Sequence, residues 1–186
     1  MAYKLKMTKN NNYYAHPTSD ISSEAHIGEG TKIWHHVQIM PGASIGKNCN
    51  FGKGVYIDTG VSIGNNVKIQ NGVSVYKGVT IEEKCFIGPN VTFTNDLNPR
   101  AFISDFVITE TYLHKGASIG ANATIICGTK IGKYSMIGAG SLITKNVGDY
   151  ELHYGSPGSL KGFVCRCGKK VSKKNEIICK ECKPKK

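Results

Sequence analysis

Thirteen large hydrophobic side chains stand six residues apart without a slip: Ile21, Ile27, Ile33, Ile39, Ile45, Phe51, Ile57, Ile63, Ile69, Val75, Ile81, Ile87 and Phe93. After a gap the same beat resumes at Leu113, Ile119, Ile125, Ile131, Ile137 and Ile143. A helix repeats every 3.6 residues or so and a strand every two. A sustained period of six therefore excludes an ordinary helical or flat-sheet fold, and as an internal repeat it governs the whole assignment.

Two other slots of the hexad are restricted. Two residues before each large side chain sits a small or β-branched one: Ala25, Thr31, Val37, Ala43, Cys49, Val55, Val61, Val67, Val73, Val79, Cys85 and Val91. Such a pair points to one side of a short strand. Three residues after the large side chains, the slot from Gly30 to Asn90 is Gly or Asn, with His36 and Lys84 as the exceptions in that run. Gly and Asn tolerate positive φ. Each hexad thus reads as a very short strand followed by a sharp bend. Bends repeated in one sense wind the chain into a solenoid with its aliphatics inside. The expected fold is all-β, a parallel β-helix. Helices are disfavoured because Gly would recur at one position in six.

The formal net charge of +11 resolves into three parts. Residues 1–12 carry three Lys and no acid, and residues 161–186 carry ten Lys/Arg against two Glu. Residues 13–160 hold eleven of each sign. The basicity belongs to the ends, so nucleic-acid binding by the solenoid is not expected, and Lys-rich solvated termini explain the charge. The expected organisation is a basic segment 1–12, a hexad solenoid 13–160 with a loop at 94–112, and a tail 161–186. No run of about 18 apolar residues exists, so no membrane span is expected. The N-terminus shows no apolar signal segment, which points to the cytoplasm.

Cys49 and Cys85 occupy the small inward slot and read as core residues, and Cys127 falls in a turn. The tail holds the other four of the seven cysteines: Cys165, Cys167, Cys179 and Cys182, as CxC and CxxC. Four thiolates satisfy tetrahedral Zn²⁺, and so small a segment needs a staple. A zinc-ribbon-like tail with structural zinc is expected; the alternative is a reduced tail without metal. Neither assigns it catalysis.

The beat is lost between Phe93 and Leu113, in "TNDLNPRAFISDFVITETYL". Solenoids accept insertions as loops on one face, often the binding face. Asn95, Asn98 and Arg100 cluster at the root of this one, where polar groups on a rigid scaffold commonly carry function. An Asx-rich turn into a decorative loop is the alternative.

At these residues the chain resembles a family. The hexads with an inserted loop resemble the left-handed parallel β-helix acyltransferases. The strings "KIWHHVQI", "KIQNGVSVY", "GPNVTFTNDLNPR" and "HKGASIGANATIICGTKIG" resemble those of its amino-sugar N-acetyltransferases. The resemblance covers roughly residues 13–168. It implies a left-handed helix of triangular coils, three hexads per coil, and a homotrimer. It implies transfer from acetyl-CoA to the 3-amino group of a nucleotide-linked sugar during surface polysaccharide synthesis. UDP-2-acetamido-3-amino-2,3-dideoxyglucuronate is the favoured substrate, and a dTDP-3-amino-3,6-dideoxyhexose is the alternative.

With eighteen residues per coil, Asp58, Tyr76 and Thr94 form one column and Thr59, Lys77 and Asn95 the next. Tyr76 and Lys77 then lie beneath the loop root, with Gln70 and Asn71 one corner back. The resemblance implies Asn95 as the catalytic positioning residue. It places His35, Gln70, Asn71, Tyr76, Asn98 and Arg100 at the substrate. "IGAGSLITKNV" resembles the coenzyme A segment, implying Ala121, Ala139, Thr144 and Lys145; small residues equally suit any solenoid turn. Where the family commonly has Pro-Ala-Arg, this chain has "GSPGSLKG", so a basic cofactor contact there either falls to Lys161 or is missing.

Many acyltransferases of this fold use a loop histidine as base, but no His occurs from residue 94 through 112. An amino-sugar amine is largely neutral near physiological pH, so a side chain that orients its N–H suffices. His114, bordering the loop, is a reserve base. A zinc-dependent carbonic anhydrase on this fold needs three converging His, and no HxxxxH pair occurs. A non-catalytic scaffold with a nucleic-acid-binding tail is the remaining alternative.

Overall fold

The computed structural model describes residues 12–105, 107–172 and 178–182. The basic segment 1–12 lies outside the described residues except for its last position. The described chain forms a left-handed parallel β-helix. Its strands are two or three residues long and turn through three faces in sequence. Face one starts with Tyr14–Ala15, face two with Asp20–Ile21 and face three with His26–Ile27.

Each coil lies in register on the next. On face one, Tyr14 pairs with Lys32, Lys32 with Asn50, Asn50 with Lys68 and Lys68 with Phe86, an eighteen-residue step each time. Three hexads therefore make one coil. The parallel ladder is regular: Tyr14 N–H donates to Thr31 O at 2.9 Å, Lys32 N–H to Cys49 O at 2.8 Å, and Asn50 N–H to Val67 O at 2.9 Å.

The beat side chains fill the prism. From Ile33 to Ile143 every one of them is 0–4% exposed, and the small slot from Thr31 to Val91 is buried with them. Removing each such aliphatic from water stabilises the fold by about 1.5–3 kcal/mol. Alternate residues point outward and are polar or partly exposed, as in Lys32–Ile33 and Ser62–Ile63. Cys49 and Cys85 are buried as expected, and burial pushes the Cys85 thiol up to about 12.

The corners explain the third slot. His36 and Lys84 adopt φ of 56° and 62°, the same left-handed bend as Gly30 at 73° and Asn48 at 55°. Asx and Glu side chains add a second device. Asn65 Oδ1 accepts the Lys47 N–H at 2.7 Å and Asn71 Oδ1 the Lys53 N–H at 2.8 Å. Glu82 Oε2 accepts the Lys115 N–H at 2.7 Å. Each satisfies a corner amide of the neighbouring coil that the ladder leaves free.

The interruption is an excursion from one corner. Strand Thr92–Phe93 ends on face two and Thr111–Leu113 resumes on face three. Ile81 pairs with Leu113, a step of thirty-two residues where eighteen is usual, so the loop adds fourteen. Thr111 takes the small inward slot that Val79 holds one coil below.

After the last coil the architecture changes. Glu151–Gly155 joins face one parallel to Met136–Ile137, and Gly158–Val164 turns back antiparallel to it, followed by Lys170–Val171. The "GSPG" departure forms this hairpin turn, where Gly155 faces Gly158. The strand Gly158–Val164 runs through position 160, the end of the solenoid expected from sequence. The only helical element among the described residues is the 3₁₀ turn Lys180–Cys182. No helix among them is long and apolar enough to cross a membrane.

Candidate active site

The loop neck is closed by main-chain and side-chain bonds from Asn95. Its carbonyl accepts the Thr109 N–H at 2.9 Å, tying the outgoing strand to the returning one. Its Nδ2 donates to Lys77 O at 3.4 Å, one coil below, which directs Oδ1 away as the acceptor end. Just inside the neck, Thr94 Oγ1 accepts the Cys127 N–H at 2.9 Å from the coil above. Asn95 is thus fixed at the root of the loop by the coil below and by the loop itself, and its neighbour Thr94 by the coil above.

The columns reasoned from eighteen-residue spacing are present. Asp58 supports the floor under the neck: Oδ2 accepts the Lys77 N–H at 3.0 Å, and Oδ1 accepts the Thr59 N–H at 2.7 Å and the Tyr56 hydroxyl at 3.1 Å. Tyr76 packs with its ring 6.1 Å from that of Tyr56 and stays 38% exposed. A hollow of about 380 Å³ lies beside the neck, lined by Thr59, Lys77, Thr80, Ile108 and Glu110 among others. Asn98 and Arg100 lie on the exposed part of the loop. The Asn98 N–H donates to Asp96 Oδ1 at 2.8 Å, and Arg100 Nη1 donates to Pro99 O at 2.9 Å.

A second group of the expected residues gathers on another corner, between faces one and two. Here His35, Gln70 and Asn71 line a groove of about 320 Å³ with Trp34, Asn50, Gly52 and Lys53. The Trp34 Nε1–H donates to Asn50 Oδ1 at 2.9 Å. The His35 ring stacks on His16 at 3.5 Å. Desolvation first, then the charges of His35 and His36, holds His16 below its usual range. Because Asn71 Oδ1 already accepts the Lys53 amide, its Nδ2 is the end left for a ligand.

Ala121 and Ala139 stack on this same corner further up. A Cβ on Gly120 would lie 2.5 Å from the Ala139 nitrogen, so successive coils touch there backbone to backbone. Gly140, next in line, has nothing within 4 Å of such a position, which leaves open space beside the main chain. Thr144 and Lys145 stand instead above the loop, on the corner between faces two and three, and both are exposed. Lys161 lies on the hairpin, its ammonium 5.6 Å from the Tyr154 ring centroid. The chain therefore brings Asn95, Tyr76, Thr144 and Lys145 to one edge of the prism and His35, Gln70, Asn71, Ala121 and Ala139 to the next. Face two separates the two sets.

The reserve base is turned elsewhere. His114 sits on the third corner with Nδ1 2.9 Å from Glu82 Oε1. That hydrogen bond is the main reason the Glu82 carboxyl titrates below its usual range. Sequence reasoning missed Lys53, Thr109 and Glu110. Lys53 was within reach, standing eighteen residues from both His35 and Asn71; the loop residues were not, since the register shifts inside the excursion.

The four tail cysteines form a separate cluster. Their sulfurs all lie within 4.8 Å of one another, with Cys165 buried and the others more open. Amide hydrogen bonds from Cys179 and Cys167 hold the Cys165 thiol down at about 6. Hydrogen bonding among the neighbouring thiols, Cys167 foremost, pushes Cys182 up to about 12.

Comparison with known proteins agrees with this architecture. The bacterial transferase hexapeptide model (six repeats) matches residues 24–59, 60–95 and 110–145, and the hexapeptide repeat of succinyl-transferase matches 42–77. The dTDP-3-amino-3,6-dideoxy-alpha-D-galactopyranose 3-N-acetyltransferase of Aneurinibacillus thermoaerophilus is 47% identical over 167 residues, 89% of this chain and 86% of that protein. Among solved structures, the polySia-specific acetyltransferase NeuO superposes with a TM-score of 0.58 at 18% identity, covering 89% of this chain and 80% of that one. PerB of Caulobacter crescentus, solved with CoA and GDP-perosamine, gives 0.52 at 21% identity; 81% of this chain is covered but only 57% of PerB. These two establish likeness of fold. With the hexad array, the looped corner and a relative matched along nearly its whole length, the chain belongs to the bacterial hexapeptide-repeat transferases and is an acyltransferase.

Proposed function

We propose that the chain transfers an acetyl group from acetyl-CoA to the 3-amino group of a dTDP-linked 3-amino-3,6-dideoxyhexose, in the synthesis of a glycan precursor. The observation that carries this reading is the 47% identity, over 89% of the chain, to an acetyltransferase of that substrate type. The UDP-linked uronate favoured by the sequence strings has no comparable support, and the dTDP sugar replaces it. Such a sugar has no carboxylate, so Arg100 serves a diphosphate oxygen, which suits a guanidinium equally well.

In this reading Asn95 Oδ1 accepts one N–H of the neutral amine and turns its lone pair toward the thioester carbonyl. Positioning of this kind replaces a bimolecular encounter with an oriented one. The new C–N bond forms as the C–S bond breaks, and the amine proton leaves with the departing thiolate. No side chain need act as base, in keeping with a loop that lacks histidine. Tyr76, Asn98 and Arg100 hold the sugar nucleotide from the loop edge, and His35, Gln70 and Asn71 from the neighbouring edge. Ala121 and Ala139 let the pantetheine arm approach main-chain amides, and Lys145 faces a cofactor phosphate, with Thr144 beside it.

A homotrimer fits this division of labour. Packing prisms side by side sets the looped edge of one protomer against the grooved edge of the next. It also covers Phe102 and Val107, which are 84% and 81% exposed on the isolated loop. The tail cysteines take no part in transfer. Acetyl-CoA consumption, measured with dTDP-3-amino-3,6-dideoxygalactose beside the UDP-linked 3-amino uronate, tests the reading. Turnover of the dTDP sugar is expected to exceed that of the uronate; no turnover of the dTDP sugar overturns it.

A further inference from the structure

The two ends of the prism are finished differently. At the starting end Ile21, Ala25 and Ile27 are only partly buried and border a hollow of about 700 Å³. At the far end Ile137, Ile143 and Val147 are 1–3% exposed. The hairpin after the last coil makes this difference. Gly158 lies so close over the last coil that a Cβ there would be 2.6 Å from Ile143 Cδ1 and 3.2 Å from Leu142 O. Gly168 rests on Met136, with its Cε 3.0 Å from the corresponding position.

This cap has little core of its own. Leu160 is 48% exposed and Tyr154 44%, while Val164 and Cys165 are buried at 1%. Burial ends where the cysteines begin. Gly168 N–H donates to Cys165 O at 2.7 Å and Cys165 N–H to Lys169 O at 2.8 Å, folding CxCG into a tight knuckle. Cys182 N–H donates to Cys179 O at 3.0 Å, folding the CxxC pair likewise. The two knuckles face each other, and Cys167 Sγ lies 3.6 Å from Cys179 Sγ. Four sulfurs around Zn²⁺, each at about 2.3 Å, stand about 3.8 Å apart.

We propose that Cys165, Cys167, Cys179 and Cys182 bind one Zn²⁺, and that this ion latches the C-terminal hairpin over the open end of the last coil. Four thiols give up their protons to solvent and four Zn–S bonds form. The resulting tetrathiolate carries two negative charges in a tail otherwise rich in Lys and Arg. Cys165 closes the metal site and directly follows the strand Gly158–Val164 that lies over Ile143, so metal occupancy and end closure are one event. The inference is independent of the sugar substrate.

The test begins with metal analysis of the full chain purified without added metal, where one zinc per chain is expected. Near-zero metal, or iron in its place, overturns the assignment. Hydrogen exchange is then compared before and after zinc is stripped by a chelator. Amides of 130–164 are expected to exchange at least about tenfold faster, while those of 33–93 stay unchanged as an internal standard. Equal exchange at 130–164 shows a metal that does not latch and overturns the proposal. The Cys179→Ser/Cys182→Ser double variant is expected to lose zinc and reproduce the stripped pattern. Retention of zinc by that variant overturns the ligand set, and the stripped wild-type chain still reports the latch should the variant fail to fold.

Discussion

The wall and the excursion it carries are made from the same residue types under opposite rules. In the wall Phe51 and Phe93 are 0% and 1% exposed, locked between coils. In the excursion Phe102 is 84% exposed and Leu97 55%. The wall's aliphatics are buried within the chain itself; the loop's stand open. The contrast separates two kinds of information. A repeated position records what the fold needs, and a position that breaks the repeat records what the fold is for.

The contrast is broken most forcefully by exchanging one phenylalanine of each region for alanine. Phe51→Ala is expected to cost about 3–5 kcal/mol in chemical denaturation. Phe102→Ala is expected to stay within about 0.5 kcal/mol. Similar losses for both would erase the distinction. Next comes the junction between the regions. Asn95→Ala is expected to lower kcat/KM about 100-fold with unchanged thermal stability, a loss typical of one positioned polar group. Unaltered kinetics would remove Asn95 from the reaction.

Smaller effects sharpen the account of the wall. Gly54 adopts φ of 67° with nothing within 4 Å of an added Cβ, so Gly54→Ala isolates the backbone cost of the bend. About 1 kcal/mol of destabilisation is expected, and none would mean the corner relaxes freely. The smallest effect belongs to Glu82. Its folded titration lies below the free value because of the His114 hydrogen bond. A carboxyl lowered in this way adds stability above its free value, about 4.3, and loses it as pH falls through the folded value. The melting temperature of Glu82→Gln is expected to fall slightly below wild type at pH 7, with the gap closing as pH falls below the free carboxyl value.

The wall was legible residue by residue because the hexad ties burial, bend and register to one count. Even the exceptions obeyed it: His36 and Lys84 stand where the bend is needed and adopt it. The same count put Lys77 under Asn95, one coil down, where its carbonyl meets Nδ2. Legibility ended with the count. Nothing in the sequence pairs Asn95 with Thr109, because that contact depends on how fourteen extra residues return to the corner. Asn71 shows a different limit. Its residue type suits a ligand and a corner latch equally, and only the bond to the Lys53 amide reveals that one end of it is committed. The eighteen-residue count also put Gln70 and Asn71 one corner back from Tyr76, and the groove they line with His35 lies on that corner.

The uniform stacking step has a consequence for how such enzymes change. Adding or deleting one turn of the thread beneath the loop moves Asn95 along the axis by about 4.8 Å without swinging it sideways. In the proposed reading, the span between a nucleotide anchor and the amine is then adjustable in whole increments, like the notches of a ratchet. Under the proposed function, acceptors of different carrier length become reachable by counting turns, with no redesign of the looped edge.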